Sequence, residues 1–427
     1  MMLTRSAERL AWVTLLAAFA VFIISVLSIG VGLRWFVLES TVALETQLRV
    51  GQGTMGIRQD TGNGEEAVRM NRALAERETI TTDEVAQGYI QFVDTSHNNR
   101  VVGNALILPG GQIRLASSSR PRFNLGDNQY TLRLNEHEGR LELEIPPNLP
   151  RDIDVVVEGS LGRIYLSESG LYHVWSFPDS MTLLPRGGGQ AQLEPFQAEA
   201  RQLAVPSGQT AIINADTATV TIRQTTDELV QNPLFLQATG PGLPDEWGCY
   251  SFSENADAPR GGQIHATLEG RRALHIHRAG VNPGYGETGC RQFLGDANGL
   301  DVSEYRTLRI RATVNVLWHS LSICGSLASE CPLMLELTYL NEIGIQQRWI
   351  HGFWSYQHNN LDIPLTCNSC LIPHDRIPPG NWHTYESANL FELPDGFKPS
   401  RLQQIRFYAA GHEYEVYVGE IALLAER

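Results

Sequence analysis

Residues 139–145 read GRLELEI, and this short stretch carries the pattern that organises most of the chain. Its three apolar residues, the last of them Ile145, alternate with Glu142 and Glu144. Because successive side chains of a β-strand point to opposite faces, the apolar residues share one face and the two glutamates share the other. The alternation predicts a strand in an antiparallel sheet with one face on a core and the other in water.

The same alternation continues on both sides of this stretch, with Gly, Asn, Asp or Pro at the turns. Upstream and downstream examples are GYIQFVD, DIDVVVEGS, YRTLRIRATVNV, LMLELTYLN and YEVYVGEIALL. One segment differs: NGEEAVRMNRALAE at 63–76 suggests a short helix or a loop. The predicted fold is mainly β, with a β-rich domain at 43–231 and an antiparallel β-sandwich of the jelly-roll type at 232–427.

Length and charge exclude some classes of protein. The chain has 427 residues, enough for two or three domains, and a formal net charge of -14. A phosphate backbone requires a basic surface, so nucleic acid is not an expected partner.

An uncharged apolar run extends from Leu10 to Leu33. A helix of this length, at about 1.5 Å per residue, exceeds the roughly 30 Å hydrocarbon core of a bilayer. Trp12 and Trp35 lie near its two ends, where amphipathic rings favour the membrane interface. The run predicts one transmembrane helix at 10–33, and the membrane is therefore an expected partner.

The flanking charges predict the orientation of this helix. Arg5 and Arg9 precede it, whereas Glu39 and Glu45 follow soon after it, so the positive-inside rule places a tail of residues 1–9 in the cytoplasm. Residues 34–42 form the predicted linker, and the bulk of the chain is expected outside the cell membrane. A cleaved signal peptide is the alternative, although SIG at 28–30 is a poor cleavage site.

All six cysteines lie in the last part of the chain, outside the membrane in this topology. An even number of cysteines in an exported domain indicates disulfides. Nearest-neighbour pairing is one of several possible connectivities. It gives the bonds Cys249–Cys290, Cys324–Cys331 and Cys367–Cys370. The alternatives are a zinc site formed by the last four cysteines, or a redox-active motif at 367–370.

Five segments together resemble the extracytoplasmic FecR-type domain of bacteria, over about 43–225. They read ETITTDEVAQGYIQFVD, LILPGGQIRLASSSRPRF, GRLELEI, GRIYLSESGLYHVW and LAVPSGQTAII. In signalling members of that family, a cytoplasmic segment binds a sigma factor. The nine or so residues before the predicted helix are too few for such a segment, so the resemblance implies the exported β module alone.

The second half is similar to galactose-binding-like jelly rolls, a group that includes many carbohydrate-binding modules. Trp247 follows a Gly/Pro loop, Gly380-Asn381-Trp382 lies late in the domain, and the last strand runs from Val416 to Leu424. This resemblance implies a sandwich over 232–427 that binds sugar, calcium or protein.

Catalytic motifs are not evident. His275 and His277 share one face of a predicted strand, but two polar residues on a solvated face explain them better than a metal does. Nothing places two acids such as Glu336 and Glu342 together in a cleft, as glycoside hydrolysis requires. There is no nucleophile elbow, phosphate-binding loop or HExxH motif. We therefore expect no enzyme activity, no metal site and no cofactor. The one alternative left open is a structural calcium ion in the sandwich.

The candidate ligand site is aromatic. Five of the eight tryptophans lie after residue 231, and RWIHGFWSYQHNN at 348–360 is the densest cluster. Trp354 and Tyr356 alternate, so they form a predicted platform on the strand face opposite Phe353, while Trp382 is expected in the core. The predicted ligand-binding residues are Arg348, Trp354, Tyr356, Gln357, His358 and Asn359.

These features together predict a membrane-anchored, non-catalytic binding or scaffolding protein of the bacterial envelope. Its partner is expected to be a glycan or another envelope protein. The alternatives are a carbohydrate-active enzyme of the envelope with an unrecognised site, or a transmembrane signalling regulator.

Overall fold

The computed structural model describes residues 4–59, 64–123, 129–196, 202–217, 219–223, 226–238, 242–255, 258–268, 271–280, 284–358, 363–393 and 397–427, without the side chains of residues 4–9 and 265. The chain is mainly β and has one long helix at its start, as the sequence predicts.

Helix α1 spans Thr4–Glu39 and is therefore longer than the predicted run. Its portion Leu10–Glu39 has a mean hydropathy of 2.6, and its most apolar part is unburied, so it is long and apolar enough to cross a membrane. At its end Phe36 lies 5.5 Å from Phe123, measured between ring centroids. The first strand begins at Thr41, so most of the predicted linker at 34–42 is helical.

In its described residues, the first β domain contains eighteen strands. They are β1 Thr41–Ala43, β2 Glu45–Gln52, β3 Met55–Arg58, β4 Glu65–Val68, β5 Arg72–Ala73, β6 Thr79–Thr82, β7 Gln87–Asp94, β8 Arg100–Ile107, β9 Gln112–Pro121, β10 Tyr130–Ile145, β11 Ile153–Gly159, β12 Gly162–Leu166, β13 Gly170–Ser176, β14 Ser180–Arg186, β15 Ala191–Pro195, β16 Leu203–Val205, β17 Thr210–Asn214 and β18 Thr219–Arg223.

These strands close into a barrel in which the long strand β10 belongs to two sheets. Its first half pairs with β9 and β11 in sheet 1, and its second half pairs with β8 and β13 in sheet 2. Sheet 1 runs β4–β3–β6–β9–β10–β11–β12–β15–β16, with β1 also on β9. Sheet 2 runs β5–β2–β7–β8–β10–β13–β14–β17–β18.

The barrel core is apolar and is supplied by alternate residues of both sheets. Leu141, Leu143 and Ile145 lie in it, as their alternation predicts. The segment at 63–76 contributes the short strands β4 and β5, so the expected helix or loop is wrong there.

The second β domain contains the remaining strands and one 3₁₀ helix, Leu390–Glu392. The strands are β19 Asp227–Glu228, β20 Gly248–Ser253, β21 Gly262–Leu268, β22 Arg271–Arg278, β23 Gly286–Phe293, β24 Leu300–Asp301, β25 Thr307–His319, β26 Leu333–Asn341, β27 Gln346–Trp354, β28 Asp375–Arg376, β29 His383–Glu386, β30 Pro399–Gly411 and β31 Tyr414–Glu426.

These strands form two sheets with a shared apolar core, which is the predicted sandwich. Sheet 3 runs β21–β22–β31–β25–β29, with β19 on β31, and sheet 4 runs β20–β23–β30–β26–β27–β28, with β24 on β30. Trp349 and Phe353 of β27 lie in the core between them. Because β19 at Asp227 already pairs with this domain, the sandwich begins a few residues before the predicted boundary at 232.

The two domains meet through charged residues. Glu142, predicted in water, is 3 % exposed and accepts a hydrogen bond from Arg311 of sheet 3. Arg311 Nε is 3.0 Å from Glu420 Oε2, and Glu420 Oε1 is 2.6 Å from Arg186 Nη1 of the barrel. The solvated face predicted for Glu142 is wrong because a second sheet covers it and supplies matching arginines.

Apolar and mixed contacts extend this interface. Trp382, which the sequence places in the core, lies instead between the domains with Tyr89, Leu106 and Ala273. Arg271 lies over the Trp382 ring, with its guanidinium carbon 5.2 Å from the centroid.

Candidate functional site

The prediction that Trp354 forms part of an exposed aromatic platform is wrong. This residue lies on the face of β27 opposite Phe353, as the alternation predicts, but it is only 6 % exposed. Two loops that carry the disulfides cover this outer face of sheet 4 and form a small second core with Trp354, Met334 and Tyr408. A ring enclosed in this way presents no flat surface to a ligand.

Arg348 is also separated from the other predicted ligand residues. It lies on the outer side of sheet 4, where its guanidinium is 3.7 Å from Glu336, and Glu336 is held by Arg406 at 2.8 Å. Gln357 is exposed, and Asn359 lies outside the described residues. The candidate set is therefore not one site.

Tyr356 and His358 do come together, around a tryptophan that the sequence analysis did not select. Their rings lie 5.4 Å and 5.5 Å from Trp318 and are parallel to each other. The Tyr356 hydroxyl donates to the Leu317 carbonyl at 2.6 Å, and His358 Nε2 donates to the His319 carbonyl at 2.7 Å. These bonds fix both rings beside Trp318, which is 44 % exposed.

A β-bulge explains why Trp318 was missed. In strict alternation with Val314 and Val316 it would point into the core. The pairing of β25 with β31 slips between Val316 and Trp318, so Trp318 is opposite Glu415 on the outer face of sheet 3. A bulge of this kind turns one side chain outward without ending the strand.

The outer face of sheet 3 continues the aromatic surface from Trp318. Glu415 is opposite His277, and Tyr417 is opposite His275. The His275 ring stacks on His277 at 4.8 Å and on Tyr417 at 4.2 Å, and its Nε2 is 3.1 Å from Glu415 Oε1. The barrel covers the middle of this face, where Arg311 and Glu420 lie. The group of residues around Trp318 that the barrel leaves open is called the aromatic strip below and comprises His275, His277, Trp318, Tyr356, His358, Glu415 and Tyr417.

Burial sets the charge state of one residue in the strip. Partial burial, and then the neighbouring His277, lower the pKa of His275, although Glu415 acts in the opposite direction. His275 is therefore neutral at pH 7 and offers a hydrogen-bond donor and an acceptor. The strip can contact a ligand by flat rings and by polar groups at their edges.

A second cluster lies under the disulfide loops. The predicted disulfides are confirmed: Cys249–Cys290, Cys324–Cys331 and Cys367–Cys370 all form. His374 lies beside the disulfides Cys324–Cys331 and Cys367–Cys370. With each pair, a ring nitrogen of His374 and the two sulfur atoms lie within 4.8 Å of one another.

Comparison with known proteins identifies no family. No family model and no curated protein matches the chain. Among solved structures, a protein from Parabacteroides distasonis assigned as an anti-sigma factor matches 34 % of this chain and 59 % of its own, at 10 % identity and a TM-score of 0.24. The family 11 carbohydrate-binding module from Clostridium thermocellum was solved with a mixed-linked tetrasaccharide. It matches 47 % of this chain and 95 % of its own, at 13 % identity and a TM-score of 0.25.

A family 30 carbohydrate-binding module matches 47 % of this chain and 88 % of its own, at 12 % identity and a TM-score of 0.26. At these scores and identities the matches establish neither a family nor a ligand. The chain also spans only 59 % of the length of the anti-sigma factor.

Proposed function

We propose that this chain is a membrane-anchored, non-catalytic protein of the bacterial envelope that binds glycan through the aromatic strip. The observation that supports the proposal is the half-exposed Trp318 ring, held beside Tyr356 and His358 on the part of the outer face of sheet 3 that the barrel leaves open.

The chemistry of the strip suits a sugar. Aromatic rings offer flat apolar area to the C–H face of a pyranose, and polar groups beside the rings can bind its hydroxyl groups. Glu415, with 41 % of its side chain exposed, supplies carboxylate oxygens in the middle of the row. His277 is exposed at the end of the row and adds a further polar group.

The proposed location rests on the helix and the disulfides. Helix α1 has a 30-residue apolar portion, and disulfides persist in oxidising compartments outside the cytoplasm. A reporter enzyme that works only outside the cytoplasm should be active when it is fused after Arg427. Activity of a cytoplasm-specific reporter at the same position would contradict the proposed orientation.

The binding test uses the full chain in lipid nanodiscs on an array of bacterial envelope glycans. We expect a subset of glycans to bind, and we expect Trp318→Ala to weaken binding by roughly tenfold or more, because covering a large apolar side chain is worth roughly 1.5–3 kcal/mol. Phe293→Ala is the matched control, since Phe293 is 70 % exposed but lies on sheet 4.

Absence of glycan binding by the wild-type protein would overturn the proposal. Equal losses in Trp318→Ala and Phe293→Ala would show that any adhesion is not specific to the strip. A protein ligand captured through Trp318 with no glycan bound would favour the scaffolding alternative.

A further inference from the structure

Helix α1 joins the barrel with almost no linker. Ser40 alone separates the last helical residue, Glu39, from β1. Strand β1 pairs antiparallel with β9, with Thr41 opposite Pro121, and the Ser40 carbonyl accepts a hydrogen bond from the backbone N–H of Arg122 at 2.9 Å. The position of the helix end therefore fixes the position of this end of the barrel.

Side chains also pack across this junction. The Phe36 and Phe123 rings lie 5.5 Å apart between centroids, and the guanidinium carbon of Arg122 lies 5.5 Å from the Phe36 centroid. Arg151 Nη2 donates to the Phe123 carbonyl at 3.0 Å, which holds the loop at 146–152 at the same place. Arg122 and Phe123 directly follow the last residue of β9, so α1 leaves the barrel from the end at which β9 finishes.

The sequence of α1 sets the depth of the junction relative to a bilayer. The apolar run ends at Leu33 and is followed by Arg34 and Trp35, two residue types that favour the membrane interface. Phe36 lies one residue further on, or about 4.5 Å beyond Leu33 along the helix axis. The headgroup layer on each side of the hydrocarbon core is roughly 5–7 Å thick. When α1 crosses a membrane, Phe36 and the Arg122 guanidinium over it therefore lie at headgroup depth.

Arginines dominate the charge at this end of the barrel. Strands β7 and β8 meet here, because Asp94 at the end of β7 is opposite Arg100 and lies 3.2 Å from Arg120 of β9. Arg100 also donates to the Asn148 carbonyl. The chain as a whole has a formal net charge of -14, so a surface with more arginines than acids is distinct from the rest. We call residues 94–100, 120–123 and 146–152 the basic end; its acidic and basic side chains are Asp94, Arg100, Arg120, Arg122, Arg151 and Asp152.

We propose that the basic end contacts the membrane surface and binds anionic phospholipid, with Arg122 as the principal contact. Arg122 is exposed and lies at headgroup depth, and a guanidinium fork matches the oxygens of a phosphate group. Arg100 is exposed as well and adds to the attraction, whereas Asp94 is buried and paired. This inference rests on the membrane anchor of the proposed function and is independent of glycan binding.

The first experiment measures lipid selectivity of the full chain in nanodiscs that contain equal amounts of phosphatidylglycerol and phosphatidylcholine. Mass spectrometry of the intact protein, released under non-denaturing conditions, gives the ratio of the two lipids that stay bound. We expect phosphatidylglycerol to exceed phosphatidylcholine by about fivefold or more, the factor that one arginine near an anionic surface contributes. Equal retention of the two lipids would overturn the proposal.

A substitution identifies the contact. Arg122→Gln should remove most of the preference for phosphatidylglycerol, because it deletes the charge and keeps a polar side chain. Arg291→Gln is the matched control and should keep the preference: Arg291 is also exposed and lies over a ring, 5.5 Å from the Phe293 centroid, but it belongs to β23 of the sandwich. An unchanged ratio in Arg122→Gln, or an equal loss in the control, would contradict the assignment.

A depth measurement tests the placement with Arg122 intact. All six native cysteines are paired, so an introduced cysteine is the single thiol for a fluorescent label. Thr95 and Val85 are both exposed and lie just beyond opposite ends of β7, a strand that spans roughly 25 Å. A nitroxide on the lipid headgroup should quench a label on Thr95→Cys and not one on Val85→Cys. Equal quenching at the two positions, or none at Thr95→Cys, would contradict the proposed contact.

The outcomes separate this inference from the proposed function. Mature protein that lacks the apolar run, or protein that fails to insert into the nanodisc, would remove the anchor and overturn both. Inserted protein that binds glycan through Trp318 but shows no lipid preference would overturn the lipid contact alone.

Discussion

At the scale of single residues, alternation predicts the direction of a side chain but not what covers it. Trp354 points away from the sandwich core, as expected, and is nevertheless buried beneath the disulfide loops. Trp318 would point inward by the same rule and is turned out by a bulge. Both outcomes depend on contacts with chain segments that are distant in sequence.

We expect Trp354→Ala to lower the free energy of unfolding by about 3–5 kcal/mol, because it leaves a cavity in a packed cluster. Trp318→Ala, with its ring 44 % exposed, should change stability far less. Chemical denaturation of both variants measures the difference. A stable Trp354→Ala protein would mean that the loops do not pack on this ring.

At the scale of elements, the loops at 324–331 and 367–374 act as a cover for sheet 4. Neither range contains a β-strand, and a short disulfide restricts each loop. The segment at 63–76 shows a related effect of neighbouring strands. Its residues favour a helix, but β4 pairs with β3 and β5 pairs with β2, and this pairing outweighs the helix propensity.

We expect native protein to contain no reactive thiols and to be two hydrogen atoms lighter per bridge than the reduced chain. Loop-closure entropy predicts about 4 kcal/mol for the bond Cys249–Cys290 and about 2 kcal/mol for Cys367–Cys370, because the first closes a much longer loop. Thiol titration and denaturation of the two double-serine variants measure this. Equal effects of both variants would contradict the entropic explanation.

At the scale of the whole molecule, two β domains are joined through buried ion pairs. Burial alone would raise the pKa of Glu420, but Arg311 and Arg186 reverse this effect and hold the pKa well below its usual range. Buried charges of this kind depend on their partners, since a single unpaired one is costly.

Arg311→Met should therefore destabilise the protein by about 3–5 kcal/mol, because Glu142 and Glu420 lose their shared partner. Calorimetry should show the single transition of the coupled domains separating into two. Arg309→Met is the matched control: Arg309 lies on the same strand, is 44 % exposed and pairs with Glu386, so its loss should cost less than about 1 kcal/mol. Equal effects of the two changes would argue against a structural role for the interface network.

Acid should weaken the same interface. Burial, and then Arg311 and Arg186, lower the pKa of His173 well below its ordinary value of 6.5. Because the folded pKa is the lower one, this contribution to stability is complete above pH 6.5 and is lost as the pH falls below it. Glu420 adds a further loss below its ordinary pKa of 4.5. Unfolding measured between pH 7 and about 5 should show a smaller slope in His173→Gln than in wild type.

The features that the amino-acid sequence predicts correctly are local or periodic. The apolar run at 10–33 predicts a helix, the two-residue alternation predicts strands with a buried side, and close cysteine neighbours predict the disulfides. Each of these depends on side-chain type and spacing within a short segment. Of the seven residues in the aromatic strip, the same reasoning selected two as ligand residues, Tyr356 and His358.

Which faces meet follows from long-range packing and not from any local pattern. The local pattern predicts that Glu142 is solvated, but Arg311 of the other domain covers it. Trp354 becomes core because loops fold over it, and Trp318 becomes surface because a bulge shifts its register. The physical reason is common to all three: burial and charge pairing depend on segments far apart in the chain, and no local pattern records which of them will come together.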